Sequence, residues 1–175
     1  MFRNASWAAA LALVGSAALA ASADPAAAKP TSPALERLKT LAGEWVAAED
    51  NAMVKKGDLV MRYAVTAAGT AVVETVFPGS PHEMVTVYHA EGDDLVLDHY
   101  CMAGNRPRMR AKGASGSRFE FSYEGGPGID AKRDRHMHSA WLEIVGADEI
   151  RNQWNEHEGG KSVFVVQSHL VRKPL

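Results

Sequence analysis

The chain has 175 residues, 46% hydrophobic and 23% charged, with a single Cys. Those figures exclude a disordered chain, a disulfide-stapled miniprotein and a multi-cysteine zinc module, and a chain of this length builds a core without metal or disulfide support. Nineteen basic against twenty-one acidic residues leave a formal charge of −2, too balanced a surface to attract nucleic acid or an anionic membrane.

The N-terminus opens with Arg3, an Ala- and Leu-rich apolar run from Trp7 to Ala21, and Ala21-Ser22-Ala23. This is the pattern of a secretory signal: a positive start, a short apolar segment, and small residues at the −3 and −1 cleavage positions. A membrane span needs about 20 apolar residues, and no lipid-modifiable Cys follows the run, so no stable membrane anchor is expected. Residues 1–23 are read as a signal peptide of an exported, periplasmic or secreted protein. Residues 24–33, with Pro25, Pro30 and Pro33, are read as a flexible leader, and 34–175 as the folded domain. Removing 1–23 takes away Arg3, leaving 175 − 23 = 152 residues and 18 basic against 21 acidic groups, a charge of −3. Cys101 is then a lone thiol in an oxidising compartment and is expected to be buried.

One helix is expected. Ser32 is its N-cap, Pro33 its first residue, Leu35, Leu38 and Leu41 its apolar face, and Gly43 its stop. Beyond Gly43 the hydrophobicity alternates with period two in ten segments: 44–49, 58–66, 70–77, 83–89, 94–101, 107–113, 118–124, 138–145, 149–156 and 162–172. Most junctions are hairpin-sized and centred on Gly, Asp or Asn. Sequential hairpins without a crossover helix predict an all-β fold, a single antiparallel up-and-down β-barrel of about ten strands with a short N-terminal helix. A two-sheet sandwich is the alternative.

Taking charged positions as solvent-facing sorts the two faces. Leu59, Met61, Tyr63 and Val65 face inward, as do Leu95, Leu97, His99 and Cys101; Met109 and Ala111; Phe119, Phe121 and Tyr123; His138, Ala140, Leu142 and Ile144; Ile150, Asn152 and Trp154; and Phe164, Val166, Ser168 and Leu170. His169 faces outward. Glu74 shares a face with Val72 and Val76 and is ambiguous, and Met84 and Tyr88 compete with Val85 and Val87 for the interior. The ligand-contacting set is therefore Tyr63, Glu74, Met84, Tyr88, His99, Cys101, Tyr123, His138, Asn152 and Trp154, together with Arg106, placed to clamp a ligand carboxylate. The alternative is a barrel filled by these same side chains.

Gly43-Glu44-Trp45 directly after the helix, with Arg172 at the end of the last strand, resembles the Gly-x-Trp and closing-Arg arrangement of lipocalins and their calycin relatives. Pro81-His82-Glu83-Met84, Tyr88-His89, His99-Tyr100-Cys101, Gly104 to Met109 and His136-Met137-His138 resemble a group of exported bacterial lipocalin-like proteins without a settled activity. Ser168-His169-Leu170 is loosely similar to the closing strand of nitrobindins, whose haem-ligating His sits just before it, and fatty-acid-binding barrels are a more distant likeness. The resemblance implies a barrel whose interior takes small molecules.

Three chemistries compete with plain ligand binding. His136 and His138, two apart on a strand, form a metal-like pair that His99 or Glu74 would complete. An inward His99 or His138 would serve as a haem ligand. Glu74 beside His99 would serve as an interior acid–base pair. No nucleophile turn is present, and His99 and Cys101 stand roughly 7 Å apart along their strand, so no catalytic residue is assigned. The long connection from Gly125 to Arg135 reads as a lid over the barrel mouth. The resulting expectation is a binding protein for a small, largely apolar ligand, with no resident cofactor and no nucleic-acid partner.

Overall fold

A computed structural model describes residues 32–174. The signal peptide and most of the leader expected over 1–33 lie outside the described residues; Ser32 and Pro33 belong instead to the start of the helix. Helix α1 (Pro33–Lys39) begins where the Ser32 hydroxyl accepts from the Leu35 amide, with Pro33 in the first turn, the geometry that satisfies an otherwise open N-terminal donor.

Ten strands follow: β1 (Gly43–Ala47), β2 (Leu59–Thr66), β3 (Ala71–Val76), β4 (Met84–Glu91), β5 (Asp94–Tyr100), β6 (Arg108–Ala111), β7 (Arg118–Gly125), β8 (His136–Ile144), β9 (Glu149–Glu158) and β10 (Lys161–Arg172). Every neighbouring pair is antiparallel. The sheet closes on itself when β1 meets β10 through Trp45 opposite Arg172, Val46 opposite Val171 and Ala47 opposite Leu170. Closure removes the unpaired edges that a ten-strand meander would otherwise expose. No helix among the described residues is long and apolar enough to cross a membrane.

The two ends of the barrel differ. Short turns 67–70, 92–93, 112–117 and 145–148 close the end that α1 covers. There Leu35, Leu38, Leu41, Trp45, Val72, Leu95, Leu97, Phe119, Ile150 and Leu170 are all buried. The Trp45 indole donates to the Leu41 carbonyl at 2.8 Å, and the Arg172 guanidinium lies 4.5 Å over its ring. Arg172 also donates to the Thr40, Ala42 and Ala147 carbonyls and to Asp148, fastening the last strand to the helix exit. Gly43 is required here: its φ is +131°, and a Cβ would stand 3.0 Å from Arg172 Nη1.

Val65 keeps the inward phase, opposite Val72, but at the end of β2 it is 42% exposed and belongs to the rim rather than to the core. On the outer wall Arg110 bridges Glu91, Asp94 and Glu124, and Arg108 pairs with Glu91, so β6 alternates outward cations with inward Met109 and Ala111, as expected. The longer connections 48–58, 77–83, 101–107 and 126–135 gather at the opposite end. The site lies there.

Candidate functional site

Inside the open half is a cavity of about 820 Å³. Its walls come from the barrel (Val60, Met61, Val76, Met84, His99, Met137, Asn152, Trp154, Glu156, Phe164, Val166, Ser168) and from the long connections (Asn51, Met53, Val54, Phe77, Cys101, Met102, Ala103, Asn105, Gly128, Ile129, Asp134, Arg135). Five of the chain's seven methionines are among them. Thioether side chains are unbranched and polarisable, so such a wall adapts to an apolar guest. The interior is therefore neither wholly filled nor wholly open: the α1 end is packed and the other end is hollow.

A polar belt separates the halves. The Tyr88 hydroxyl donates to Glu74 Oε2 at 3.0 Å and the Thr86 hydroxyl to Glu74 Oε1 at 3.1 Å, while Thr86 Oγ1 is 2.9 Å from His99 Nδ1. All four residues are buried. The connection follows from register, because Glu74 on β3 lies opposite Thr86 on β4, and Thr86 opposite His99 on β5. Directly paired residues share a face, so Glu74, whose orientation was ambiguous from sequence, points inward. Burial raises the Glu74 carboxyl above its ordinary range, opposed by the hydroxyls of Tyr63, Tyr88 and Thr86. Burial pushes the His99 imidazole down to about 4, so the ring is neutral at physiological pH. It lies against Trp154 with centroids 4.7 Å apart, and its Nε2 is buried without a hydrogen-bond partner among the described residues.

Of the residues assigned from sequence, Met84, His99, Cys101, Asn152 and Trp154 line the cavity. Tyr63, Glu74 and Tyr88 lie behind that wall. Tyr63 donates to Met61 Sδ at 3.5 Å, as does Asn152 Nδ2. Cys101, expected to be fully buried, is only partly covered because its inward position opens onto the cavity. Burial raises its thiol pKa nonetheless.

Arg106 is corrected. It points outward, over the Tyr100 ring at 5.7 Å and 4.0 Å from Asp98. The cation at the mouth is Arg135, whose Nε and Nη2 each donate to buried Glu156 at 2.7 Å. Glu156 continues the inward alternation of Asn152 and Trp154, but reading charged positions as solvent-facing hid it.

His138 and Tyr123 are corrected as well. A register shift between Met137 and Ser139 makes His138 the extra residue of a β-bulge, so Met137 takes the cavity position. His138 stacks instead on His157 at 4.0 Å and on Tyr123 at 5.4 Å, neither of which lines the cavity. Tyr123 lies where β7 shifts register against β6 and packs on His136 at 4.6 Å.

His136 bonds the Asp134 carbonyl through Nδ1 and His138 through Nε2, and His99 is on β5, away from both. Among the described residues no group of three His, Cys, Asp or Glu side chains is placed to hold a metal ion. His169 faces outward, 3.0 Å from Glu149, so the closing-strand His of the nitrobindin likeness does not reach the cavity.

The lid reading has support from geometry: Gly128, Ile129, Asp134 and Arg135 of the 126–135 connection form part of the cavity wall, and Asn105 Nδ2 donates to the Arg135 carbonyl at 2.6 Å. Comparison with protein-family models and with curated proteins returns no match. The closed ten-strand barrel is compatible with a calycin-like fold.

Proposed function

We propose that this chain is an exported, lipocalin-like barrel that binds a small, largely apolar molecule in the open half of its interior. The observation that carries the reading is the cavity itself, about 820 Å³ with a wall dominated by Met, Val, Phe, Ile and Trp and only a few polar groups. That size and composition fall within the range of small-molecule sites, where apolar walls supply burial and sparse polar groups set orientation. Met53 and Met102, 50% and 59% exposed, also line the cavity and extend its apolar surface to the rim. Export rests on the Arg3, apolar run and Ala21-Ser22-Ala23 pattern.

The test is binding of the neutral apolar dye Nile red. Saturable fluorescence enhancement in the wild type, lost when Ser168→Trp fills the cavity in a folded protein, supports the reading. Undiminished binding by that variant places the dye elsewhere and refutes it. Native mass spectrometry of protein taken from its own cell envelope then identifies a retained guest.

A second reading, haem held by His99, is favoured by one observation: Nδ1 is tied to Thr86 while Nε2 has no partner, the pattern of a ligating imidazole oriented from behind. A Soret band that His99→Phe abolishes would select it.

A further inference from the structure

The polar belt specifies which end group the guest carries. Thr86 has one hydroxyl proton, and it is directed to Glu74, whose other oxygen accepts from Tyr88. With Glu74 ionised and accepting from both hydroxyls, the Thr86 oxygen accepts from His99 Nδ1, the Nδ1 position holds the ring proton, and Nε2 is left with a lone pair. A buried acceptor without a donor is costly, and His99 is a wall residue of the cavity.

A second wall residue, Asn105, shows the same deficit: its Oδ1 is buried and without a donor. Asn152, also on the wall, has its Nδ2 served only by a thioether sulfur, that of Met61 at 3.5 Å, which is a weak acceptor. The charges on the wall are Asp134, Arg135 and Glu156. Arg135 is paired with Glu156 through Nε and Nη2, so the cation on the wall is already balanced by a carboxylate.

We propose that the cavity selects an apolar molecule ending in an uncharged hydroxyl, which donates to His99 Nε2, and discriminates against fatty-acid carboxylates. This rests on the apolar-cavity reading above and adds the chemical class of the guest. A carboxylate has no proton to give the unpartnered acceptors His99 Nε2 and Asn105 Oδ1. An ether of the same length would fill the apolar space but leave Nε2 as it is.

The experiment displaces Nile red at pH 8 with 1-dodecanol, its methyl ether and dodecanoate. In the wild type the alcohol is expected to compete about tenfold better than the ether, the effect of one satisfied buried hydrogen bond, with dodecanoate weaker than the alcohol. In His99→Phe, alcohol and ether are expected to compete equally. Where that variant does not fold, Thr86→Val, which frees the Nδ1 proton, is expected to shrink the alcohol's advantage. Equal competition by alcohol and ether in the wild type, stronger competition by dodecanoate, or an alcohol preference that survives His99→Phe overturns the assignment while leaving the apolar cavity intact. Absence of any Nile red binding overturns the cavity reading itself and this inference with it.

Discussion

His99 makes acid stability a direct test of how the belt is built. Burial lowers its pKa from 6.5 to about 4. As pH falls through 6.5 the unfolded chain takes up this proton and the folded protein does not, so the unfolded state gains. The contribution is complete above pH 6.5, is lost progressively between 6.5 and about 4, and is flat below. At about 1.4 kcal/mol per pH unit, the displacement corresponds to about 3 kcal/mol across that window.

Glu74 acts in the opposite sense: its raised pKa means that protonation favours the folded state as pH falls towards 4.5. The wild-type slope is therefore smaller than the His99 contribution alone, and a variant is needed to isolate it. His99→Phe keeps a ring against Trp154 and removes both the titrating group and the unpaired Nε2. Its stability at pH 7.5 is expected within about 1 kcal/mol of wild type, because one modest hydrogen bond and one buried orphan are lost together. Urea unfolding at pH 7.5, 6, 5 and 4 should show the wild type losing about 3 kcal/mol relative to the variant between the extremes. Parallel profiles would refute the argument, since they require His99 to titrate alike in both states.

Two further perturbations probe the ends of the barrel. Arg172→Ala strips several donors from the Thr40, Ala42 and Ala147 carbonyls at once and uncovers the Trp45 face, so a loss of about 2–4 kcal/mol in urea unfolding is expected, with Nile red affinity unchanged because the cavity is at the other end. Cys101 carries a thiol whose pKa burial raises and lines the cavity, so iodoacetamide at pH 7 should label the native protein more slowly than the unfolded one, and an occupying alkanol should slow it further.

The ten strands were legible because alternation is a property of the strand itself: one wet face and one dry face force period two on the residues, and the hairpin turns force Gly, Asp and Asn between them. The helix was legible for the same reason, through its cap and its leucine spacing. The interior was legible only while the phase held. One extra residue at His138 reverses the phase of the first part of β8, and nothing in Met137-His138-Ser139 distinguishes a bulge from regular strand. Tyr123 keeps its phase, opposite buried Met109, yet packs on His136 rather than on the cavity. Glu156 was missed by a rule that holds on average and fails where a partner is supplied, here by Arg135 from a loop. Wall residues such as Asn51, Met53, Met102 and Ile129 come from connections, which carry no period from which a direction can be read.

What decides which half of the barrel is hollow is the covering, since the alternating pattern runs the length of every strand. At the α1 end, a helix with Leu35, Leu38 and Leu41 fills the bore, and Trp45 completes the plug with Arg172 sealing the backbone around it. At the other end no such element among the described residues enters, and loops supply walls instead of a stopper. The belt of Glu74, Thr86, Tyr88 and His99 sits where these two regimes meet. On its packed side the polar atoms must satisfy one another, which the Glu74 carboxylate and two hydroxyls achieve. The chain of donors runs toward the cavity through Thr86 and ends at His99 Nε2. A hydrogen-bond chain that is complete on its packed side and unfinished at a cavity wall places its one missing partner in the cavity.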